Sequence, residues 1–174
     1  KVLTNRRPEI SSDKSFTAAQ WQDFAALTAR HLTFVGAVVV DRQLWLSRDR
    51  AKFYGTGFVH LGVIFDQQVE QDTFVISKPL VTIRLGNAQW TSRAFQIWMF
   101  GWPQLMWSFT SIADSVKATI TPEEPWNNLR TLAVERAFGG YSMREYQLFL
   151  KGRFKQSLRQ FAAFLIALAP RRLF

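Results

Sequence analysis

The sequence predicts an α/β fold in which a small, incomplete sheet precedes a mostly helical C-terminal region. Two apolar, β-branched runs predict the strands, TFVGAVVV at 33–40 and TFVISKPLVTIRL at 73–85. Helix-start signals and an apolar stripe predict helices after residue 121. Because a sheet of two or three strands is marginal alone, we expect strands from elsewhere to complete it.

The N-terminal part is expected to form a helix, a strand and a second short helix in turn. Thr17 followed by Gln20 makes a capping box, and apolar residues at helical spacing extend this helix over roughly 17–32. The run at 33–40 then predicts a buried strand, and a short helix around Arg42–Arg48 follows it.

Glycine and proline interrupt the regular patterns in the middle of the chain. Three glycines within residues 54–65 indicate a loop or a strand-to-helix junction. Pro79 restricts the strands of 73–85 to a sheet edge or a break, because proline cannot donate a ladder hydrogen bond. A helix is predicted from Ser92 to Phe100, and residues 101–103 (GWP) interrupt it.

The C-terminal part is predicted to be a basic helical extension. Residues 121–124 (TPEE) indicate a helix start, and Gly139 with Gly140 indicates its end. The last helix carries one apolar stripe that we expect to pack inward, formed by Leu150, Phe154, Leu158, Phe161, Leu165 and Leu168. We therefore divide the chain into a region 1–120 and an extension 121–174 packed on it.

Composition indicates a chain that contacts a partner or a surface. Hydrophobic residues make up 48% of the chain, and its sixteen Phe and seven Trp exceed what a small core hides comfortably. The absence of cysteine excludes structural disulfides and cysteine-based zinc sites. A disordered tail is excluded by the same apolar content.

The positive charge is concentrated toward the C-terminus. The formal net charge is +9, and six Lys or Arg residues follow Glu145. Since no stretch reaches the ~18 uninterrupted apolar residues of a spanning helix, we expect peripheral binding to the anionic inner face of the plasma membrane, from the cytoplasm. A basic face that only contacts solvent is the alternative.

Common catalytic and metal-binding motifs are missing from the sequence. There is no P-loop, dinucleotide-binding glycine motif, HExxH zinc motif or GxSxG nucleophile elbow. His31 and His60 are the only histidines, which excludes a multi-histidine metal site. Glu70 and Asp72 form the nearest pair of carboxylates, and a solvated turn is the preferred interpretation of that pair.

Three segments resemble a known enzyme family: FVGAVVVDRQLW (34–45), YGTGFVHLGVIF (54–65) and GNAQWTSRAFQIWMFGWP (86–103). They are similar to family-2 bacterial glycosyltransferases of the GT-A fold, closest to abequosyltransferase-like sugar transferases. The resemblance implies that region 1–120 is the acceptor-side, C-terminal portion of such a Rossmann-like domain. The whole enzyme would transfer a sugar from a nucleotide-sugar donor to a lipid-linked or polysaccharide acceptor of the cell surface.

The resemblance also implies a divalent metal, Mg or Mn, held on the donor diphosphate by an Asp-rich motif of the N-terminal half. That half is not visible in this sequence, so we expect the chain alone to be inactive. In this family such an ion offsets charge on the leaving nucleotide.

Carried over position by position, the resemblance implies a set of site residues. His60 lies where the family has a catalytic or metal-facing residue, and Asp66 is the second candidate for the general base. The alternative for His60 is a structural histidine with a hydrogen-bonded ring. The implied substrate-binding residues are Thr56, Gly57, Asn87, Gln89, Trp90 and Arg93.

Purely structural roles stay open for these residues: a tight turn for the glycines at 55 and 57, and an ordinary core position for Trp90. A non-catalytic membrane-surface or scaffold module is the alternative function for the whole chain. Nucleic-acid binding ranks last, because the aromatic residues mostly follow core periodicity instead of alternating with basic residues on one surface.

Overall fold

The computed structural model describes residues 10–81 and 91–173, and the described part is mostly helical with a two-stranded sheet. The sheet joins β1 (Lys14–Phe16) to β2 (Thr73–Val75) in antiparallel register, with Ser15 opposite Phe74. A mixed α/β chain with a small sheet is therefore confirmed.

Short helices connected by turns make up most of the described chain. A π-helical turn at Ile97–Gly101 joins α4 to α5, and a second one at Tyr146–Leu150 follows α8. The α-helices are α1 (Trp21–Thr28), α2 (Arg42–Ser47), α3 (Val59–Phe65), α4 (Ala94–Gln96), α5 (Trp102–Ser108), α6 (Asp114–Ile120), α7 (Leu129–Phe138), α8 (Met143–Glu145) and α9 (Ser157–Leu168).

The described residues divide into two compact units. The first contains 10–81 and 105–122, and the second contains 91–104 and 123–173. Residues 91–104, which the sequence places within region 1–120, thus pack with the C-terminal residues. The reason is aromatic packing, since the ring of Phe95 stacks on that of Tyr141 with centroids 5.2 Å apart.

The first unit is built around aromatic rings contributed by separate elements. Phe65 of α3 lies between Phe24 of α1, at a centroid distance of 6.0 Å, and Phe109, at 5.9 Å. Residues 60–65 are all buried, so α3 is the central element of this core. Gly62 permits that packing, because a Cβ at this position would lie 2.2 Å from Cγ of Phe53.

The strand predicted at 33–40 is wrong. The segment forms two 3₁₀ turns, His31–Thr33 and Val35–Ala37, and the side chain of Val39 is fully exposed. Its backbone amides bond locally, as in Ala37 N–H to the Phe34 carbonyl at 3.0 Å. A β-branched run becomes a buried strand only beside a partner strand, and the sheet described here lies between β1 and β2 instead.

The second unit has its own core, to which α4, α7, α8 and α9 contribute. The Tyr141 hydroxyl donates a hydrogen bond of 3.0 Å to the carbonyl of Ala163 and so fixes α9 to this core. Burial raises the pKa of Tyr141, which keeps the hydroxyl protonated as a donor. The largest fully buried residues in this core are Leu132, Tyr141 and Leu150.

The helix expected from 121–124 begins later than predicted. Pro125–Asn127 forms a 3₁₀ turn, and α7 starts after Asn128, whose side chain accepts hydrogen bonds from the amides of Arg130 and Thr131. Its C-terminal end at Gly139 is as predicted, because this residue adopts a left-handed φ of 84°.

The inward orientation expected for the C-terminal apolar stripe is wrong for its last four residues. Leu150 and Phe154 are buried, but α9 begins only at Ser157, after a turn in which Gly152 has a φ of 82°. The turn changes the rotational phase of the helix, so Ala163 and Ala167 face the core instead. The stripe residues left exposed are Leu158, Phe161, Leu165 and Leu168.

Candidate functional site

His60 lies on α3 with its ring largely buried, at 8% exposure. Its Nε2 is 2.7 Å from the carbonyl oxygen of Leu32. Because a carbonyl oxygen only accepts, Nε2 carries the proton and Nδ1 carries the lone pair. Burial lowers the pKa of His60, and the hydrogen bond to Leu32 opposes that shift. The geometry favours the structural alternative for this histidine, and its catalytic or metal-binding role stays a prediction.

Asp66 caps the C-terminal end of α3, and its carboxylate forms an ion pair with the ammonium of Lys52. The carboxylate is 19% exposed and is held beside Arg48, whose guanidinium donates to the carbonyls of Val63 and Ile64. Desolvation lowers the pKa of Arg48, and the charge of Asp66 opposes that shift. Sequence analysis missed Arg48, which closes the end of α3 as basic side chains at helix C-termini do.

The two base candidates do not form a pair in the structure. His60 and Asp66 are six residues apart on α3 and its C-cap, which is about 9 Å along a helix axis. Each also has its own partner, Leu32 for the imidazole and Lys52 for the carboxylate. The arrangement offers one carboxylate at partial exposure and one neutral imidazole in the core, not an acid–base dyad.

The predicted substrate-binding residues of the glycine loop form a local turn. The Thr56 hydroxyl donates to the Phe53 carbonyl at 2.8 Å and accepts from the Phe58 amide at 3.0 Å. Gly57 has a φ of 80°, and a Cβ there would meet nothing within 4 Å. These contacts account for the residues as turn formers, and a substrate contact stays a prediction.

The other predicted substrate-binding residues lie elsewhere. Arg93 belongs to the second unit, where its Nε donates to Oε1 of Gln96 at 3.4 Å. Asn87, Gln89 and Trp90 lie outside the described residues. Within 10–81 and 91–173, no group of three His, Asp or Glu side chains is placed to hold a metal ion. The divalent metal expected of a complete enzyme stays a prediction.

One side of α9 in the second unit is an exposed apolar surface, which we call the α9 outer face and define as Leu158, Phe161, Leu165 and Leu168. Their exposed fractions are 81%, 57%, 46% and 58% in that order. The opposite side of the helix, with Ala163 and Ala167, is buried. Residues 161–168 of the helix are apolar on all sides, and such a segment belongs in a protein core or at an apolar boundary, so the α9 outer face indicates a contact surface.

Basic residues flank α9 at both ends. From residue 146 to the C-terminus the sequence has six Lys or Arg and no Asp or Glu, a formal charge of +6. Lys151, Arg153 and Lys155 precede the helix, and Arg171 with Arg172 follows it, all of them exposed. In the described parts of the chain none of them forms an ion pair. The charge therefore remains available to an anionic partner.

Comparisons with known proteins do not assign a family. No protein-family model matches the chain, and no curated protein or solved structure has significant similarity to it. Among helices in the described ranges, none is both long enough and apolar enough to cross a bilayer.

Proposed function

We propose that the second unit is a peripheral module that binds an anionic membrane surface through the α9 outer face. The observation that carries this proposal is the exposure of four large apolar side chains on one helix within a segment of charge +6. Interfacial helices combine an exposed apolar face with basic residues, and here most of the basic residues precede or follow the helix. The inner face of the plasma membrane, rich in anionic lipids, is the surface that fits this charge.

The energetics support membrane binding that is stronger on anionic lipid. These side chains are about half to four-fifths exposed, so transfer from water into lipid gains about 1–2 kcal/mol each. Basic residues near an anionic bilayer add about 1 kcal/mol each. A second copy of the chain is a poorer occupant of the α9 outer face, because two segments of charge +6 would repel each other.

The test is co-sedimentation with vesicles of phosphatidylcholine, with and without phosphatidylglycerol. We expect tighter binding to the anionic vesicles than to the neutral ones, and the double variant Phe161→Ser, Leu165→Ser weakens it by at least about tenfold. Val134→Ser is the matched control, since Val134 is an exposed apolar residue of α7 in the same unit. The proposal would be contradicted if the double variant bound vesicles as tightly as wild type. It would also be contradicted if wild type were a dimer and the double variant a monomer in size-exclusion chromatography.

Glycosyl transfer is the second candidate function, and its support is the sequence resemblance together with the partly exposed carboxylate of Asp66. In this proposal the chain contributes the acceptor side and needs a nucleotide-binding α/β half for the GT-A fold to be complete. A membrane-bound position would bring the enzyme to a lipid-linked acceptor.

The test of this second proposal is transferase activity in a protein that contains a donor-binding half. We expect Asp66→Asn to lower turnover by roughly 10²–10⁴-fold, the usual contribution of a general base. His60→Gln is the comparison, because a structural imidazole affects stability more than turnover. Wild-type turnover in Asp66→Asn would remove Asp66 from the mechanism.

A further inference from the structure

A cleft lies in the second unit where the turn before α9 meets the segment preceding α7. Its volume is about 260 Å³, and a wider, more open depression of about 450 Å³ shares part of its lining. The cleft is small beside drug-sized pockets of roughly 300–1,000 Å³. The polar side chains of its lining include Glu124, Asn127, Arg153, Lys155, Gln156 and Arg159.

Neutral groups hold the two guanidinium groups of this cleft. Arg159 donates from Nη1 to Oδ1 of Asn127 at 3.2 Å, and the guanidinium of Arg153 lies 5.0 Å from the ring centroid of Phe100. Within the described chain neither arginine forms an ion pair, nor does Lys155. The two guanidinium charges are therefore held in place but not neutralised.

One carboxylate, Glu124, also lines the cleft. Its Oε2 accepts a hydrogen bond of 3.4 Å from the side-chain amide of Asn127. Three cations against one carboxylate leave a formal charge of +2 around the cleft (3 − 1 = 2). A phosphate monoester carries about −1.5 to −2 at neutral pH, so its charge matches this surplus.

We propose that this cleft binds the phosphate group of a small molecule. Arginine side chains present planar forks of donors that fit phosphate oxygens bidentately, and lysine adds a point charge. The side-chain amides of Asn127 and Gln156 line the same cleft and offer hydrogen bonds to hydroxyl groups on the molecule that carries the phosphate. A carboxylate ligand would leave one positive charge of the surplus uncompensated.

The phosphate comes from a soluble ester and not from a lipid headgroup. Arg159 and Phe161 are two residues apart on α9, which separates them by about 160° around the helix axis. The cleft residue therefore lies on nearly the opposite side of the helix from the α9 outer face. Arg153 and Lys155 belong to the basic segment proposed to attract the bilayer, but the Arg159 side of the cleft is turned away from the face proposed to enter it.

The experiment is isothermal titration of the chain with inorganic pyrophosphate and with phosphate. We expect saturable binding, at least about tenfold weaker in Lys155→Ala and in Arg153→Ala. Arg144→Gln is the charge-matched control, since Arg144 is exposed in the same unit and is outside the cleft lining. Far-UV circular dichroism of each variant verifies that it is folded.

Each outcome decides the inference. If Arg144→Gln weakens pyrophosphate binding as much as the cleft variants do, the binding is general charge attraction and the proposed site is wrong. The proposed site is also wrong if neither cleft variant changes the affinity. In a second arm, phosphatidic acid vesicles are added to the pyrophosphate complex. Displacement of pyrophosphate that persists in the Phe161→Ser, Leu165→Ser variant would overturn the soluble source in favour of a lipid headgroup. No displacement supports a soluble phosphate ester.

Discussion

At the scale of single residues, the buried imidazole of His60 couples folding to pH. The unfolded chain takes up this proton near pH 6.5, whereas burial lowers the pKa of His60 in the folded chain. The full stability is therefore present above pH 6.5 and is lost as pH falls through the lower, folded pKa.

We expect wild-type protein to lose stability as pH falls below about 6.5, and His60→Gln to lose less. Urea unfolding of both proteins across this range measures the difference. Burial raises the pKa of the Glu135 carboxyl, so this group adds stability as pH falls. Both proteins contain Glu135, and its effect therefore cancels when their pH profiles are compared. Parallel pH profiles in the two proteins would show that His60 is not the group responsible.

Gly57, which the sequence suggests as a substrate-binding residue, has a backbone conformation that favours glycine. Its φ of 80° is a conformation that costs other residues roughly 1–2 kcal/mol. We therefore expect Gly57→Ala to lower the free energy of unfolding by about 1 kcal/mol, although there is space for the methyl group. Thermal unfolding measures it.

Gly101→Ala is the matched control for that substitution. Gly101 lies in the π-helical turn before α5 without a positive φ, and a Cβ there would be 3.9 Å from its nearest neighbour. Alanine at such a position stabilises by about 0.4–1 kcal/mol. Equal losses in both variants would mean that the conformation of Gly57 is not the cause.

At the scale of elements, Asn128 determines where α7 begins. Its Oδ1 accepts from the amide of Arg130 at 2.9 Å and from that of Thr131 at 3.3 Å. We expect Asn128→Ala to cost about 1 kcal/mol of stability, and Asn128→Asp to preserve most of it, because a carboxylate caps equally well. Chemical denaturation compares the three proteins. A loss of the same size in Asn128→Asp would count against capping.

Elements determined by local chemistry could be predicted from the sequence. The Thr17 amide donates to Oε1 of Gln20 at 3.2 Å, as the capping box predicts, and α2 and the end of α7 also lie where expected. The run 33–40 could not be predicted, because a strand there would need a partner strand distant in sequence, and the phase of α9 depends on the Gly152 turn that precedes the helix. The hydrogen bond between His60 and Leu32 also joins residues distant in sequence, so it left no sequence signal.

The alanines of α9 are a signal that sequence reasoning overlooked. Ala163 and Ala167 are four residues apart and mark the side of the helix that approaches the core closely, whereas the larger residues at 161 and 165 attract attention as a stripe. In residues 161–168, which are all apolar, these two small residues mark the buried side and the larger ones do not.

At the scale of the whole molecule, charge and apolar surface are combined in the second unit. If membrane binding depends on both, added salt weakens it without abolishing it, since salt screens the basic residues and leaves apolar burial intact. We expect vesicle binding to fall steadily with sodium chloride in wild type. A variant with Lys151→Gln and Arg172→Gln, both exposed, should bind more weakly and respond less to salt. Salt-independent binding would contradict the electrostatic part.

The hydrogen bond from Tyr141 to Ala163 has one further consequence. Many amphipathic peptides are unstructured in water and fold into a helix only on lipid, so they lose conformational entropy at the moment of adsorption. Here the side-chain hydroxyl anchors the helix before any bilayer is met, and that entropy is lost during folding instead. Adsorption would then leave the helical circular dichroism signal constant. The affinity for the bilayer would depend on the hydrogen bond of Tyr141 as well as on the exposed leucines.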